Sequence, residues 1–356
     1  MKKYLSSIVI IMIMFAASPV FAATKSASKP ISVDQMEKVF YYIPGAASFA
    51  SLQMYQDKIG ILAPQSYTID ETGTLSGKIN EKVTAITNEK KIKVMPLVSN
   101  KNFSQGLMTT VLSSVDIQNK VIDQLITEAK NNNLIGWQFD FERMAATDRD
   151  NYSAFVERAA KRFRENNLHL SVAVITRTSE NPSDLPEGSW DNWAGVYDYI
   201  RLGKAADSIV LMAYDMPDST GPVADIRWME KVISYAKRSI PASKLSLGIP
   251  SYAWIWDVQL NARIKSVGDG KVQELLVNNL YDSKGYDKAV QAGWITYTEN
   301  DINYKIWYEN NESFKAKLKL VQKYKLRGFS LWAIGLEDDT IWNNFKINNT
   351  SIGGKK

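Results

Sequence analysis

Residues 136–142 read GWQFDFE, and the rest of the chain is organised to hold this segment in place. Trp137, Phe139 and Phe141 alternate with Gln138, Asp140 and Glu142, which is the two-residue period of a β-strand. One face is large and aromatic and suits packing under helices. The other carries an amide and ends in two carboxylates, groups that rarely line an ordinary core. A strand with such a face is either an edge strand facing water or a strand that feeds a reactive site. The aromatic face argues against a free edge.

Outward from this segment, strand-like and helix-like stretches alternate. Strands are expected at 39–43, 58–63, 91–99, 136–142, 169–177, 208–215, 245–253 and 327–334, with a loop from Pro64 onward. Helices are expected at 77–88, 114–131, 150–166, 193–206, 225–239, 313–324 and 337–344. The second of these carries Ile117, Val121, Ile122, Leu125 and Ile126 at helical spacing. Alternation of this kind argues for parallel βα units, and eight of them predict an α/β protein, a closed (β/α)8 TIM barrel. Several strands are continuous apolar runs, as expected when both faces are covered. About 70 residues separate the last two strands, more than a barrel connection needs. A small α+β insertion, rich in Trp and Tyr, is therefore expected at about 256–310 within a domain spanning 34–348.

The chain has 356 residues, 45% of them hydrophobic, enough for one large α/β domain. Residues 1–22 read as a signal peptide, with Lys2 and Lys3, an apolar run at 5–17, and a small-residue site for cleavage after Ala22. The run is short for a membrane span. Residues 23–33 read as a linker and 349–356 as a tail. A secreted or periplasmic monomer without a stable membrane anchor is expected. There is no cysteine, which excludes disulfides and Cys-linked lipid, so the fold rests on its core. The net charge is +5, or +3 once Lys2 and Lys3 leave with the leader. That permits an anionic polymer as partner without demanding one. No basic block with interleaved aromatics appears, so nucleic acid is not an expected partner. The single histidine, His169, excludes a His-based triad and a multi-imidazole zinc site, and it reads as structural. Catalysis, if present, falls to carboxylates, Tyr, Lys or backbone groups.

In such a barrel the active site lies at the C-terminal ends of the strands. Those ends carry Asp140 and Glu142; Met212, Tyr214 and Asp215; Ser251, Tyr252 and Trp254; and Trp332. Tyr42, Ser99, Asn100, Thr176 and Arg177 complete the rim. Carboxylates and aromatic rings converging on one mouth suit a sugar, whose ring faces stack on Trp and Tyr while carboxyl groups do acid–base work.

The segment Ile135–Glu142, I-G-W-Q-F-D-F-E, resembles the strand-four signature of glycoside hydrolase family 18, D-G-x-D-x-D-x-E. MAYD at 212–215, GIPSYAW at 248–254 and SLWAIGLED at 330–338 resemble the family's motifs on strands six, seven and eight. The order holds from about residue 38 to 344, and the nearest branch is that of bacterial spore-cortex and cell-wall N-acetylglucosaminidases. Two positions depart from the signature: Ile135 stands for the first Asp and Gln138 for the middle one, while the final D-x-E pair is intact as Asp140 and Glu142. Gln138 cannot take up a proton but can hydrogen-bond Asp140, which predicts slower catalysis or a shifted pH range.

The resemblance implies a substrate-assisted, retaining hydrolysis in which the sugar's 2-acetamido group is the nucleophile and no metal or organic cofactor is required. Glu142 is then the general acid and base, Asp140 holds the acetamido nitrogen, and Tyr214 binds its carbonyl. Trp332 lies under the ring, and Gln138, Tyr42, Met212, Asp215, Tyr252 and Trp254 contact substrate. The implied partner is an N-acetylglucosamine polysaccharide, peptidoglycan ahead of chitin. The competing readings are a chitinase or chitooligosaccharide hydrolase, a lectin-like barrel without turnover, and an envelope scaffold. Individual residues have plainer roles open to them. The two acids could pair with Arg143 or Arg177, Tyr214 and Trp332 could be core, Asp215 could cap a turn, and Trp254 could belong to the insertion's core.

Overall fold

The computed structural model describes residues 32–217 and 220–347. The expected signal peptide, most of the linker and the tail lie outside these residues. Among the described residues no helix is long and apolar enough to cross a membrane.

In chain order the strands are β1 Glu37–Tyr42, β2 Ile61–Ile69, β3 Leu75–Gly77, β4 Lys93–Val94, β5 Leu97–Asn100, β6 Gly136–Phe139, β7 His169–Ile175, β8 Ser208–Met212 and β9 Leu245–Pro250. They continue as β10 Ala253–Asp257, β11 Ala262–Val267, β12 Ser283–Asp287, β13 Ala292–Glu299, β14 Ile302–Tyr308 and β15 Gly328–Trp332. The helices are α1 Ala46–Tyr55, α2 Glu81–Lys90, α3 Gln105–Ser113, α4 Val115–Asn131, α5 Arg149–Glu165, α6 Tyr199–Ala205, α7 Ile226–Ala236, α8 Asp269–Val277 and α9 Asn311–Tyr324.

The expected barrel is present. β1 pairs in parallel with both β2 and β15, and the path β15-β9-β8-β7-β6-β5-β2 returns to it, which closes the sheet. β4 and β5 together make the third barrel strand, both pairing with β2. The segment that opened the sequence argument sits at the fourth position. Trp137 and Phe139 point outward: the Trp137 indole donates to the Leu125 carbonyl of α4 at 2.9 Å, and Phe139 stacks on Phe155 of α5 with ring centroids 5.4 Å apart. Gln138 and Asp140 are left facing the barrel axis. Gly136 lets β6 approach β7 closely, because a Cβ there would fall 2.0 Å from the His169 carbonyl oxygen.

Several boundaries differ from expectation for local reasons. β2 runs through Pro64 to Ile69, and the proline sits just before a register shift against β5, a setting in which strands tolerate it. Gly77 belongs to β3, so the next helix begins at Glu81, capped by the Asn80 side chain. The stretch expected as a helix at 193–206 is a π-turn at Trp190–Ala194 followed by α6, which Asp198 caps. The final helix is a 3-10 segment, Asp339–Asn344.

Between β9 and β15, strands β11-β10-β14-β13-β12 form a separate antiparallel sheet. It begins at Ala253, three residues earlier than the expected edge. One face packs Ile255, Ile295 and Ile306 against Val272 and Leu275 of α8. The other presents Trp254, Trp256 and Trp307 toward Tyr214, Trp332 and Leu336 at the barrel mouth. A fully buried ion pair, Lys317 of α9 with Glu309 at 2.6 Å, ties the end of this sheet to the barrel.

Candidate active site

The strand β6 ends at Phe139, and the chain then leaves the barrel carrying Asp140 and Glu142. Three contacts fix this exit. The Asp140 N–H donates to the Val98 carbonyl at 3.0 Å. The Tyr197 hydroxyl donates to the Phe141 carbonyl at 2.8 Å. Asn100, buried at the end of β5, grips Glu142 from both sides: its Nδ2 donates to the Glu142 carbonyl at 3.0 Å, and its Oδ1 accepts from the Glu142 N–H at 3.1 Å. The backbone of the second acid is therefore held by a side chain that sequence reading placed only on the rim.

Asp140 and Glu142 open into a cavity of about 410 Å³ with Met212, Tyr214, Asp215 and Trp332. Trp193, Trp228 and Leu185 form its far wall. Trp332 leans on Tyr41, with ring centroids 5.0 Å apart, and lies nearly parallel to Tyr214 at 6.5 Å. Neither acid has an ion-pair partner among the described residues. Arg143 is exposed, with its guanidinium 5.6 Å from the centre of the Trp193 ring. Arg177 is buried and donates to the Ala194 and Tyr197 carbonyls at 2.9 Å and to Glu180 at 2.6 Å. The plainer role for the acids, a salt bridge to either arginine, is thus absent. His169, at the opposite end of its strand, hydrogen-bonds Ser208 at 2.8 Å.

Burial without a counter-charge pushes both carboxyls up. Asp140 is raised to about 7 by desolvation. Glu142 is raised to about 8, by desolvation first and then by the charges of Asp140 and Asp215. Two interacting acids titrate as a pair, and ionising one opposes ionisation of the other. Burial likewise raises the Tyr214 phenol well above its ordinary value, so it remains a hydrogen-bond donor.

The other expected residues divide. Tyr252 is buried and donates to Asp215 at 2.5 Å, so Asp215 is held by a neighbouring strand end as well as lining the cavity. Gln138 is fully buried below Asp140 with its amide beside the Tyr41 hydroxyl, and the expected bond to Asp140 is not formed. Tyr42 does not reach the cavity. It packs with Phe40 and Leu52 in the core outside the barrel, and the inward position belongs to its neighbour Tyr41, which faces Asp140 and Gln138. Trp254 lies in the insertion's aromatic layer rather than in the wall around the acids. The sequence reading missed Tyr41, Trp193 and Trp228. Nothing in the wholly apolar and aromatic run at 39–43 marks the first as the inward one. Among the described residues no group of three or more His, Cys, Asp or Glu is placed to hold a metal ion.

A (β/α)8 barrel whose mouth holds a buried acid and a half-buried one, neither ion-paired, over an aromatic floor has the parts of a glycosidase-type hydrolase. The family model described as glycosyl hydrolases family 18 matches residues 25–337, and the chain belongs to that family. The uncharacterized glycosylase YvbX of Bacillus subtilis is 26% identical over 96% of this chain and 98% of that one. The cortical fragment-lytic enzyme of Bacillus subtilis is 27% identical over 78% of this chain, which spans 65% of that enzyme. The crystal structure of the Bacillus megaterium spore cortex-lytic enzyme SleL matches with a TM-score of 0.78 at 25% identity, covering 88% of this chain and 75% of that one. A chitinase from Chromobacterium violaceum matches with a TM-score of 0.77 at 27% identity, covering 89% and 100%.

Proposed function

We propose that this protein is an exported glycosidase that cleaves β-1,4 bonds after N-acetylglucosamine in peptidoglycan, by a retaining, substrate-assisted route. The observation that carries the reading is the pair Asp140 and Glu142, unpaired, displaced upward and sharing one cavity with Tyr214 and Trp332.

With the sugar over Trp332, the acetamido carbonyl oxygen attacks the anomeric carbon. Glu142 gives its proton to the departing glycosidic oxygen. The resulting oxazolinium carries positive charge beside Asp140, which holds the acetamido N–H. Tyr214 donates to the acetamido oxygen and aligns it. Glu142, now ionised, takes a proton from water, and that water opens the oxazolinium from the face the leaving group vacated. Configuration is retained after two inversions, and the chain's own groups with the substrate's acetamido suffice. Gln138 lends Asp140 neither charge nor hydrogen bond, so the field at Asp140 is set by burial.

Support for a wall glycan comes from two directions. Relatives are named for cortical fragments and the spore cortex, and the first 22 residues read as an export leader. A monomer acting on a polymer outside the cytoplasm fits both. The second reading is a chitinase, favoured by the structural match to one. Digesting purified sacculi and chitin in parallel, with mass analysis of the new ends, separates them. Muropeptides ending in reducing N-acetylglucosamine support the proposal. Soluble chitobiose from chitin with sacculi untouched rejects it.

A further inference from the structure

Trp332 and Asp215 line two cavities. The second of these, of about 290 Å³, is completed by Tyr252, Ser266 and Leu336 and is not lined by either catalytic acid. The two cavities therefore adjoin at the floor tryptophan, and the second reaches the insertion through Ser266. Ser266 belongs to β11, and the same strand carries Arg263. A register irregularity between Ile255 and Trp256 puts Ser266 opposite Trp254 and Arg263 opposite Trp256, so both fall on the face that looks at the barrel mouth.

Arg263 is exposed, with its guanidinium 4.4 Å from the centre of the Trp254 ring. It makes no ion pair or hydrogen bond among the described residues. Its charge is felt at Asp215 and Tyr252, the residues shared with the second pocket. Asp215 forms no ion pair with it and already accepts from the Tyr252 hydroxyl. The stacked arginine is thus preorganised, with its edge donors unspent, beside a sugar-sized pocket next to the reacting one. A planar fork of this kind matches a carboxylate. Beneath it, the Trp254 indole N–H is buried without a partner.

We propose that the second pocket is a subsite for an acidic sugar, and that Arg263 is the residue that selects a carboxylate-bearing glycan over a neutral one. The inference rests on the wall-glycan reading. In an alternating glycan with N-acetylglucosamine over Trp332, the adjacent sugar carries a lactyl ether, so its carboxylate, or one on the peptide attached to it, comes within reach of Arg263. A chitin chain offers nothing to the guanidinium but hydroxyls and amides.

The test compares the full chain with Arg263→Gln and Arg263→Lys on three soluble substrates of matched length. These are wall glycan fragments carrying peptides, the same fragments with peptides removed to leave lactyl carboxylates, and neutral N-acetylglucosamine oligomers. Arg263→Gln should lower the acidic-to-neutral ratio of kcat/KM about tenfold, chiefly through KM, as expected for one lost charge-assisted contact. Arg263→Lys should recover part of it, and added salt should erode the wild-type preference. A loss confined to peptide-bearing fragments assigns the carboxylate to the peptide, a loss confined to the peptide-free fragments assigns it to the lactyl group, and a loss on both shows that Arg263 takes either carboxylate. An unchanged ratio, with acidic fragments still cleaved, overturns the role of Arg263 alone. A wild-type protein that cleaves only neutral oligomers overturns the wall-glycan reading and this proposal with it.

Discussion

Replacing Glu142 by Gln should make the protein more stable at alkaline pH while abolishing turnover. Glu142 is raised from an ordinary 4.5 to about 8, because burial and the charges of Asp140 and Asp215 oppose its ionisation. The folded state therefore binds more protons than the unfolded chain between those two values. Stability from this group is fully present below about pH 4.5 and is lost as pH rises through about 8. At about 1.4 kcal/mol per pKa unit, the displacement corresponds to at most about 4–5 kcal/mol. Part of that is repulsion shared with Asp140 and Asp215, and Glu142 keeps some contact with solvent, so about 2 kcal/mol is the working expectation. For a domain of this size that amounts to roughly 4 °C in Tm. The assay is thermal unfolding of both proteins at pH 4 and pH 9. The variant should match wild type at pH 4, below the ordinary carboxyl value, and exceed it at pH 9. A difference that does not change with pH, or a variant that is less stable at pH 9, would refute the claim that the acid is buried without a counter-charge.

Three further outcomes follow from the contacts. Asn100→Ala leaves the Glu142 N–H and carbonyl without partners and should cost about 1–3 kcal/mol of stability. Its kcat should fall far more than its KM rises, as read by steady-state kinetics, because the acid loses its position and the pocket does not. Asp140→Asn should likewise lower kcat more than it raises KM, since its charge matters most when the oxazolinium forms; a pure KM effect would reduce Asp140 to a binding residue. Glu309→Gln strands the fully buried Lys317 ammonium and should cost about 3–5 kcal/mol in denaturant unfolding.

The barrel was legible because its signals are periodic. Alternation in 136–142 fixed which side of β6 meets helices, and the spacing of Val121, Ile122, Leu125 and Ile126 fixed the buried face of α4. α1 went unseen because its buried residues are Ser48, Ser51 and Leu52, small and polar ones that give no apolar stripe. They suit a place where Gly335 approaches the helix backbone and Ser51 hydrogen-bonds Glu337. The exchange of Tyr42 for Tyr41 has a similar cause. Every residue of 39–43 is apolar or aromatic, so alternation cannot say which of two adjacent tyrosines faces inward. Asn100 was beyond reach for another reason: its role is to hold a backbone 42 positions away, and nothing local marks that. Arg263 gains its meaning only from a strand irregularity that turns it onto the aromatic face.

The central claim is substrate-assisted retention at Asp140 and Glu142, and the configuration of the newly released reducing end tests it most directly. Proton NMR during the first minutes of hydrolysis of soluble wall glycan fragments resolves the two anomers before they interconvert. The account predicts that the β-anomer appears first and that Glu142→Gln releases neither. An α-anomer appearing first would mean direct attack by water, and would contradict it.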